Sequence, residues 1–336
     1  MSASSPLVID THAHAIMQQW LSALEQSRGP AAGPLRIAGS PVPPWTPRIH
    51  VDAMDTHGIG ASVLSWPSAT SFLTGQAARS LARAMNEEFA QAIADHPTRF
   101  GAFAILPWDD MDAAQREMEY ALDVLQLDGV SSATQYRGTY LGAPAHQELL
   151  AEMNRRAVPL FVHPTTPPGF DLVSMGLNAA LMEFMFDSTR MATHMVLTGS
   201  KARFPRIDVI CSHGGGTVPY LAQRIGMLET HFGAGEGRTT LTADEVQAGL
   251  ASFHYDLTAA TSAAQLDAIR RLVPVEQLLM GFDYPMMPEW TIQPARQRFA
   301  RYEGLNAAQK ARIYSGNALK LLPGLAARLQ AEPALP

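Results

Sequence analysis

The sequence has little cysteine, no run of basic residues and no long hydrophobic run. Its 336 residues include one cysteine, Cys211, which excludes an internal disulfide. Lysine and arginine number 25 against 31 acidic residues, a net charge of −6, so nucleic acid is not an expected partner. No apolar run could span a bilayer and residues 1–6 do not resemble a secretory signal, so we expect a cytoplasmic protein without membrane association.

What is present is an ordinary globular composition, 47% hydrophobic and 17% charged, which provides for a large core. Short apolar segments alternate with helical patterns along the chain. The predicted strands are residues 7–9, 61–66, 101–106, 129–132, 159–163, 207–212, 252–257 and 277–281. Eight strands with helices between them predict a parallel sheet.

Two stretches interrupt this alternation. Residues 29–47 are rich in proline and glycine and predict an insertion after the first strand, at about residues 15–50. Residues 164–200 combine a Pro/Gly loop with a Met-rich helical pattern, and loops of this length are often lids or binding loops. No linker or repeat divides the chain, so we expect one domain over residues 1–336, with a helical tail at about 306–336.

The strongest local motif follows the first predicted strand, in the run Ile9-Asp10-Thr11-His12-Ala13-His14. Because side chains two residues apart on a strand point the same way, His12 and His14 could reach one ion. Neutral imidazole suits zinc, manganese, iron and similar ions. Taken alone, the motif could equally be two surface histidines at a strand–loop junction.

Three other predicted strands also end in a metal-competent residue followed by glycine or proline. These strand ends read Val162-His163-Pro164, Ser212-His213-Gly214 and Phe282-Asp283-Tyr284-Pro285. In a (β/α)8 barrel all strand C-termini converge on one face, whereas an open sheet would not bring strands one, five, six and eight together. We therefore predict a (β/α)8 TIM barrel with a metal site. Its predicted ligands, named the ligand group below, are His12, His14, His163 and Asp283.

The pattern favours one metal ion with an open coordination position. Residues 128–136, around the end of the fourth predicted strand, contain no lysine, so a carboxylated lysine that bridges two metals is absent. Three histidines and one aspartate leave a position for water or substrate, as a catalytic site requires.

His213 could be a further ligand or an acid/base beside the metal, and we favour the second role because the ligand group is already complete. The three glycines after it permit close backbone approach to a ligand. Phosphate binding is disfavoured because the stretch lacks both G-x-G-x-x-G and G-K-[ST]. Cys211 lies within an apolar strand, where a buried structural cysteine is favoured over a nucleophile.

Two further side chains are candidates for substrate contacts. Trp66 stands at the end of the second predicted strand. Arg190 follows the fifth strand, directly after Asp187-Ser188-Thr189. Arg190 could form a structural ion pair or clamp a substrate carboxylate, and the structural option is slightly favoured.

These motifs resemble the amidohydrolase superfamily, and within it the branch typified by aminocarboxymuconate semialdehyde decarboxylase. The resemblance extends roughly from Val8 to Leu322. The stretches that carry it include Ile9 to His14, Trp45 with residues 54–59, Asn86-Glu87, residues 97–101, Val162-His163-Pro164, residues 212–215, residues 281–285 and residues 315–318. Framework stretches are similar to the 6-methylsalicylate decarboxylase-type group, namely residues 99–107, 128–130, 138–142 and 183–190.

The resemblance implies one divalent ion, zinc or manganese, held by the ligand group, with His213 beside the open position. It implies non-oxidative decarboxylation of an aromatic, salicylate-type or an unsaturated carboxylic acid, and commonly a homodimer. It also makes Arg36 a candidate for binding the substrate carboxylate across the dimer interface.

The chemistry requires a proton donor, because the ring carbon that bears the carboxylate must be protonated before CO2 leaves. Asp283 or His213 could supply that proton. A rival on the same scaffold is a hydrolase or hydratase that attacks a lactone, amide or double bond, since fold does not determine reaction. A non-enzymatic metal-stabilised binding protein is a second rival, disfavoured by the open ligand position.

Overall fold

Eight parallel strands form the centre of the fold in the computed structural model, which describes residues 6–29, 33–37, 40–233 and 240–331. The strands are β1 (Ile9–His14), β2 (Ala61–Ser65), β3 (Phe100–Ala104), β4 (Gly129–Ala133), β5 (Leu160–His163), β6 (Val209–Cys211), β7 (His254–Asp256) and β8 (Leu278–Leu279). Each strand pairs with the next along the chain. Every strand overlaps its predicted segment, although β1 continues five residues beyond residue 9 and so includes both histidines of the first motif.

Hydrogen bonds between β1 and the segment after β8 close the sheet into a barrel. The Thr11 backbone N–H donates to the Met280 carbonyl at 2.9 Å, and the His14 N–H donates to the Tyr284 carbonyl at 2.8 Å. In return, the Asp283 N–H donates to the His12 carbonyl at 2.7 Å. The predicted TIM barrel is therefore confirmed, and an open sheet is excluded.

Helices surround the barrel and connect its strands. They are α1 (Gln18–Arg28), α2 (Pro47–His57), α3 (Gly75–Asp95), α4 (Met111–Glu119), α5 (Gln147–Arg156), α6 (Glu183–Leu197), α7 (Ser200–Arg203), α8 (Val218–Phe232), α9 (Ala243–Ala251), α10 (Ala263–Leu272), α11 (Ile292–Arg301), α12 (Ala307–Ala311), α13 (Asn317–Leu321) and α14 (Pro323–Gln330). Single π-helical turns follow α4 and α12, at Tyr120–Val124 and Arg312–Gly316. None of these helices is both long enough and apolar enough to cross a bilayer.

The barrel interior is filled by inward-facing side chains, and one end of it is sealed by the C-terminal helices. Phe103 and Phe161 stack inside the barrel with ring centroids 5.5 Å apart. Leu321 and Leu325, from α13 and α14, belong to the same buried cluster. Arg328 of α14 donates to the carbonyl oxygen of Phe100, at the start of β3. The C-terminal helices thus cover the N-terminal ends of the strands, and the opposite face stays available for a site.

The segment between β1 and β2 contains more regular structure than its proline and glycine content predicts. It holds α1, a hairpin of Arg36–Ile37 with Ser40–Pro41, and α2. Helix α2 begins with the Thr46 side chain accepting a hydrogen bond from the Ile49 N–H, and Pro47 occupies its first position. Parts of the predicted domain, insertion and tail lie outside the described residues, namely 1–5, 30–32, 38–39, 234–239 and 332–336.

Candidate metal centre and active site

The ligand group comes together at the C-terminal ends of the strands, on the open face of the barrel. One ligand atom from each of the four residues lies within 4.8 Å of the others. The side chains of His12, His14 and Asp283 are buried, and His163 is partly buried. The structure thus brings together four side chains predicted from three separate strand ends, those of β1, β5 and the segment after β8.

The ligand atoms lie close together, and three of the four are not satisfied by hydrogen bonds. Asp283 Oδ1 lies 3.0 Å from His14 Nε2 and 3.4 Å from His12 Nε2. Within the described part of the chain, His12 Nε2, His163 Nε2 and Asp283 Oδ1 are buried and have no hydrogen-bond partner. Leaving such an atom unpaired costs about 1–3 kcal/mol. Three neighbouring unpaired atoms in a His3Asp set fit one divalent cation.

The other ring nitrogen of each histidine in the ligand group is held by the protein, which directs Nε2 toward the centre. The Nδ1 contacts are His12 with Asp256 Oδ2 at 2.9 Å, His14 with Ser65 Oγ at 3.2 Å, and His163 with the Pro164 carbonyl at 2.8 Å.

Two buried aspartates that the sequence analysis did not single out support this arrangement. Asp256, the last residue of β7, contacts His12, and its Oδ1 accepts the backbone N–H of His213 at 3.0 Å. Asp10 Oδ1 accepts the N–H groups of His12 and Phe282, each at 3.0 Å, and so links β1 to the segment after β8. A carboxylate near the C-terminal end of the seventh predicted strand, residues 252–257, was the signal available for Asp256.

His213 lies beside the ligand group and is itself buried. Its Nε2 is 3.5 Å from Asp283 Oδ2, whereas Asp283 Oδ1 is the oxygen that contacts His12 and His14. Its backbone has a φ of 54°, in the left-handed region, and Asp283 has a φ of 60°. Such values are uncommon for residues other than glycine and cluster at functional sites.

The glycines after His213 are required by packing within the protein. A Cβ on Gly215 would lie 2.1 Å from the Tyr255 ring, and one on Gly216 would lie 2.0 Å from the Met185 carbonyl oxygen. Both glycines also have positive φ values. The close backbone approach expected here is therefore made to β7 and α6, so these glycines give no separate indication of a ligand.

Opposed electrostatic effects act on the ligand group. Burial favours neutral His12, yet the carboxylates of Asp256 and Asp283 raise its pKa to about 10. Burial and the neighbouring histidines hold the pKa of His163 well below its ordinary value. Burial works to raise the pKa of Asp283, but His12 and the other nearby histidines hold it well below its ordinary range. Strongly perturbed pKa values in one cluster are typical of a functional site.

The candidate substrate contacts lie at different distances from this centre. Trp66 is buried, and its ring packs edge-on against His14 with centroids 5.4 Å apart. Phe184, which the sequence analysis did not name, packs edge-on against His163 at 6.0 Å. Arg190 is about half exposed and lies 3.5 Å from Glu183, as in a structural ion pair.

The remaining two candidates differ in their exposure to solvent. Arg36 is exposed on the short strand of the insertion, so its role stays a prediction. Cys211 is buried, and burial raises the pKa of its thiol far above the ordinary value. A buried neutral thiol is a poor nucleophile, consistent with the expected structural role.

A closed barrel with a His3Asp group at the C-terminal face defines a metal-dependent barrel enzyme. A family profile described as Amidohydrolase matches residues 9–324, so the chain belongs to the amidohydrolase family. The chain is 30% identical to 6-methylsalicylic acid decarboxylase acuB of Aspergillus aculeatus, a match that covers 94% of this chain and 96% of that protein.

Two crystal structures share the fold. One is 5-carboxyvanillate decarboxylase LigW from Sphingomonas paucimobilis, with a TM-score of 0.82 and 23% identity over 95% of this chain and 99% of that chain. The other is 5-carboxyvanillate decarboxylase from Novosphingobium aromaticivorans, complexed with manganese and 4-hydroxy-3-methoxy-5-nitrobenzoic acid. It matches with a TM-score of 0.80 and 18% identity over 94% of this chain and 96% of that chain. The expected reaction class is confirmed: the chain is a metal-dependent decarboxylase, a carboxy-lyase.

Proposed function

We propose that this enzyme decarboxylates a salicylate-type aromatic acid without an oxidant, with one divalent ion held by the ligand group. The observation that carries the proposal is the set of buried, unpaired ligand atoms on the open barrel face, with His213 beside them. The relative that acts on 6-methylsalicylic acid, an acid with a hydroxyl next to its carboxylate, supports the choice of substrate class.

When bound, the divalent ion would supply Lewis-acid polarisation of the substrate carboxylate and its neighbouring hydroxyl. The side chains of the protein perform the remaining tasks. Trp66 and Phe184 are aromatic groups beside the ligand histidines, and we propose that they exclude water and contact the substrate ring. A water-poor site strengthens the electrostatic stabilisation of charge that develops as the ring loses aromaticity.

His213 and Asp283 form the proposed proton-transfer pair. Asp283 Oδ1 belongs to the ligand group, while Oδ2 lies 3.5 Å from His213 Nε2. A proton shared by these two groups can be delivered to the ring carbon that bears the carboxylate. The carbon–carbon bond then breaks, CO2 leaves, and its bonding electrons return to the ring and restore aromaticity.

Several finer features belong to the same proposal. The ion is zinc or manganese, and manganese is present in the related carboxyvanillate structure. The active form is a homodimer in the cytoplasm, in which Arg36 binds the substrate carboxylate across the interface. Arg190 keeps its structural ion pair with Glu183. Residues 1–336 form a single domain.

The test is to load the purified protein with zinc or manganese, measure metal per chain, and follow CO2 release. The substrates are salicylate, 6-methylsalicylate and 2,6-dihydroxybenzoate, with benzoate as the matched acid that lacks the neighbouring hydroxyl. We expect near-stoichiometric metal and CO2 only from the hydroxylated acids. Hydrolysis of simple lactones without CO2 release would instead support the hydrolase alternative and refute the proposal.

A further inference from the structure

Asp256 joins a histidine of the ligand group to His213 through one carboxylate. The side chain is fully buried. Its Oδ2 lies 2.9 Å from His12 Nδ1, while its Oδ1 accepts two backbone N–H groups, from His213 at 3.0 Å and from Thr258 at 2.9 Å. Each oxygen of this carboxylate thus has a separate task.

The contact with His12 determines which ring nitrogen can bind a metal. An ionised carboxylate only accepts hydrogen bonds, so the hydrogen between the two groups must be carried by His12 Nδ1. The lone pair of Nε2 is then directed toward the rest of the ligand group. A carboxylate on the far side of a ligand histidine also makes that histidine a stronger base.

The contact with His213 holds a backbone conformation that an L-residue adopts at a cost. His213 has a φ of 54°, and the same Asp256 oxygen also binds the N–H of Thr258 in its own turn. The oxygen therefore links the turns after β6 and β7. This places the His213 ring next to Asp283.

We propose that Asp256 is a positioning residue with two effects. It sets the tautomer of His12 for metal binding, and it orients His213 beside Asp283, the partner of His213 in proton transfer. This inference rests on the proposed metal role of the ligand group. A carboxylate that only braced the backbone would need its Oδ1 contacts alone, so the two roles can be separated.

The decisive variant is Asp256→Asn, which keeps the size of the side chain and changes one atom. Its amide oxygen is expected to accept from His213 and Thr258, because the opposite orientation would leave two buried N–H groups facing an NH2 donor. The NH2 group then faces His12 Nδ1 and requires it to accept. The hydrogen moves to Nε2, where it blocks metal binding.

The matched control is Asp10→Asn. Asp10 is also fully buried and also accepts two backbone N–H groups through Oδ1, from His12 and Phe282. No ring nitrogen is among its described hydrogen-bond partners. An asparagine oxygen can accept the same two hydrogen bonds, so the control retains the backbone role without altering a histidine tautomer.

We expect zinc affinity, measured by competition with a chelator, to fall about 10- to 100-fold in Asp256→Asn and to change less than about threefold in Asp10→Asn. In zinc-loaded protein with 15N-labelled histidine, the wild type should show a protected Nδ1–H signal from His12 that Asp256→Asn lacks. Thermal unfolding of both variants without metal tests whether they fold, and we expect a cooperative transition in each.

The outcomes distinguish a failure of the positioning role of Asp256 from a failure of the proposed function. Equal zinc affinity in both variants, with tight binding by the wild type, overturns the positioning role and leaves the proposed function standing. A wild-type protein that binds neither zinc nor manganese overturns the proposed function and this inference with it. A His12 Nδ1–H signal that persists in Asp256→Asn also refutes the tautomer argument.

Discussion

Replacement of His213 by asparagine tests whether this side chain moves a proton or holds the metal. Asparagine is the suitable replacement because His213 has a φ of 54°, which asparagine tolerates, whereas alanine would add a left-handed penalty of about 1–2 kcal/mol. The His213→Asn variant therefore removes the imidazole while leaving the backbone and the adjacent glycines in place.

The expected loss follows from the role assigned to the ring. A positioned acid/base contributes about 10²- to 10⁴-fold to the rate, which corresponds to about 2.7–5.4 kcal/mol of transition-state stabilisation. We expect kcat/KM for CO2 release to fall within that range. Metal content should stay the same, because His213 does not belong to the ligand group.

The assay combines CO2 release from a salicylate-type acid, metal analysis of the purified protein and thermal unfolding. Loss of metal together with activity would show that His213 is a ligand. Activity within about threefold of the wild type would remove it from proton transfer, since even the lower limit of acid/base catalysis is about 10²-fold. A lowered melting temperature with normal metal content would show a structural role only.

Four other perturbations have defined outcomes. Asp283→Asn should abolish CO2 release and weaken metal binding while the fold survives, because asparagine tolerates the φ of 60° at this position. Removal of the metal with a chelator should stop turnover and lower the melting temperature, since metal at 100 times its Kd stabilises the folded state by about 2.7 kcal/mol. Phe161→Ala should destabilise the protein by about 3–5 kcal/mol in denaturant titrations, because the ring is fully buried. Hydrogen bonds from Arg155 and Arg156 lower the pKa of Glu152 to about 2. The stability from this lowered pKa is therefore present above about pH 4.5 and lost toward pH 2, and Glu152→Gln should reduce that pH dependence by no more than about 1 kcal/mol.

Controls make these outcomes specific. Val124→Ala, at an exposed position, should change stability by less than about 0.5 kcal/mol and provides the reference for Phe161→Ala. Normal turnover by Asp283→Asn would remove Asp283 from the site. Full activity after verified metal removal would contradict metal dependence. If the free energy of unfolding falls between about pH 4.5 and pH 2 as much in Glu152→Gln as in the wild type, the arginine contacts of Glu152 add nothing to stability in solution.

Much of the architecture was determined by the sequence because the relevant signals are local. Alternation of apolar strands and helices along the chain predicted the barrel strands. Polar residues at strand ends predicted the ligand group, since parallel strands of a barrel deliver their C-termini to one face. Helix α1 was missed because proline and glycine dominate the segment that follows it.

Tertiary structure decided the hydrogen bonds that orient the side chains of the ligand group and of His213. Asp256 and His12 are 244 residues apart, and their hydrogen bond exists only because the barrel closes β1 onto the segment after β8. The left-handed backbone of His213 depends in the same way on a carboxylate from the neighbouring strand. Periodicity reports which face a residue occupies, but not which distant partner satisfies its hydrogen bonds. The sequence by itself therefore determined which residues reach the centre, and the closed barrel decided how each one is oriented there.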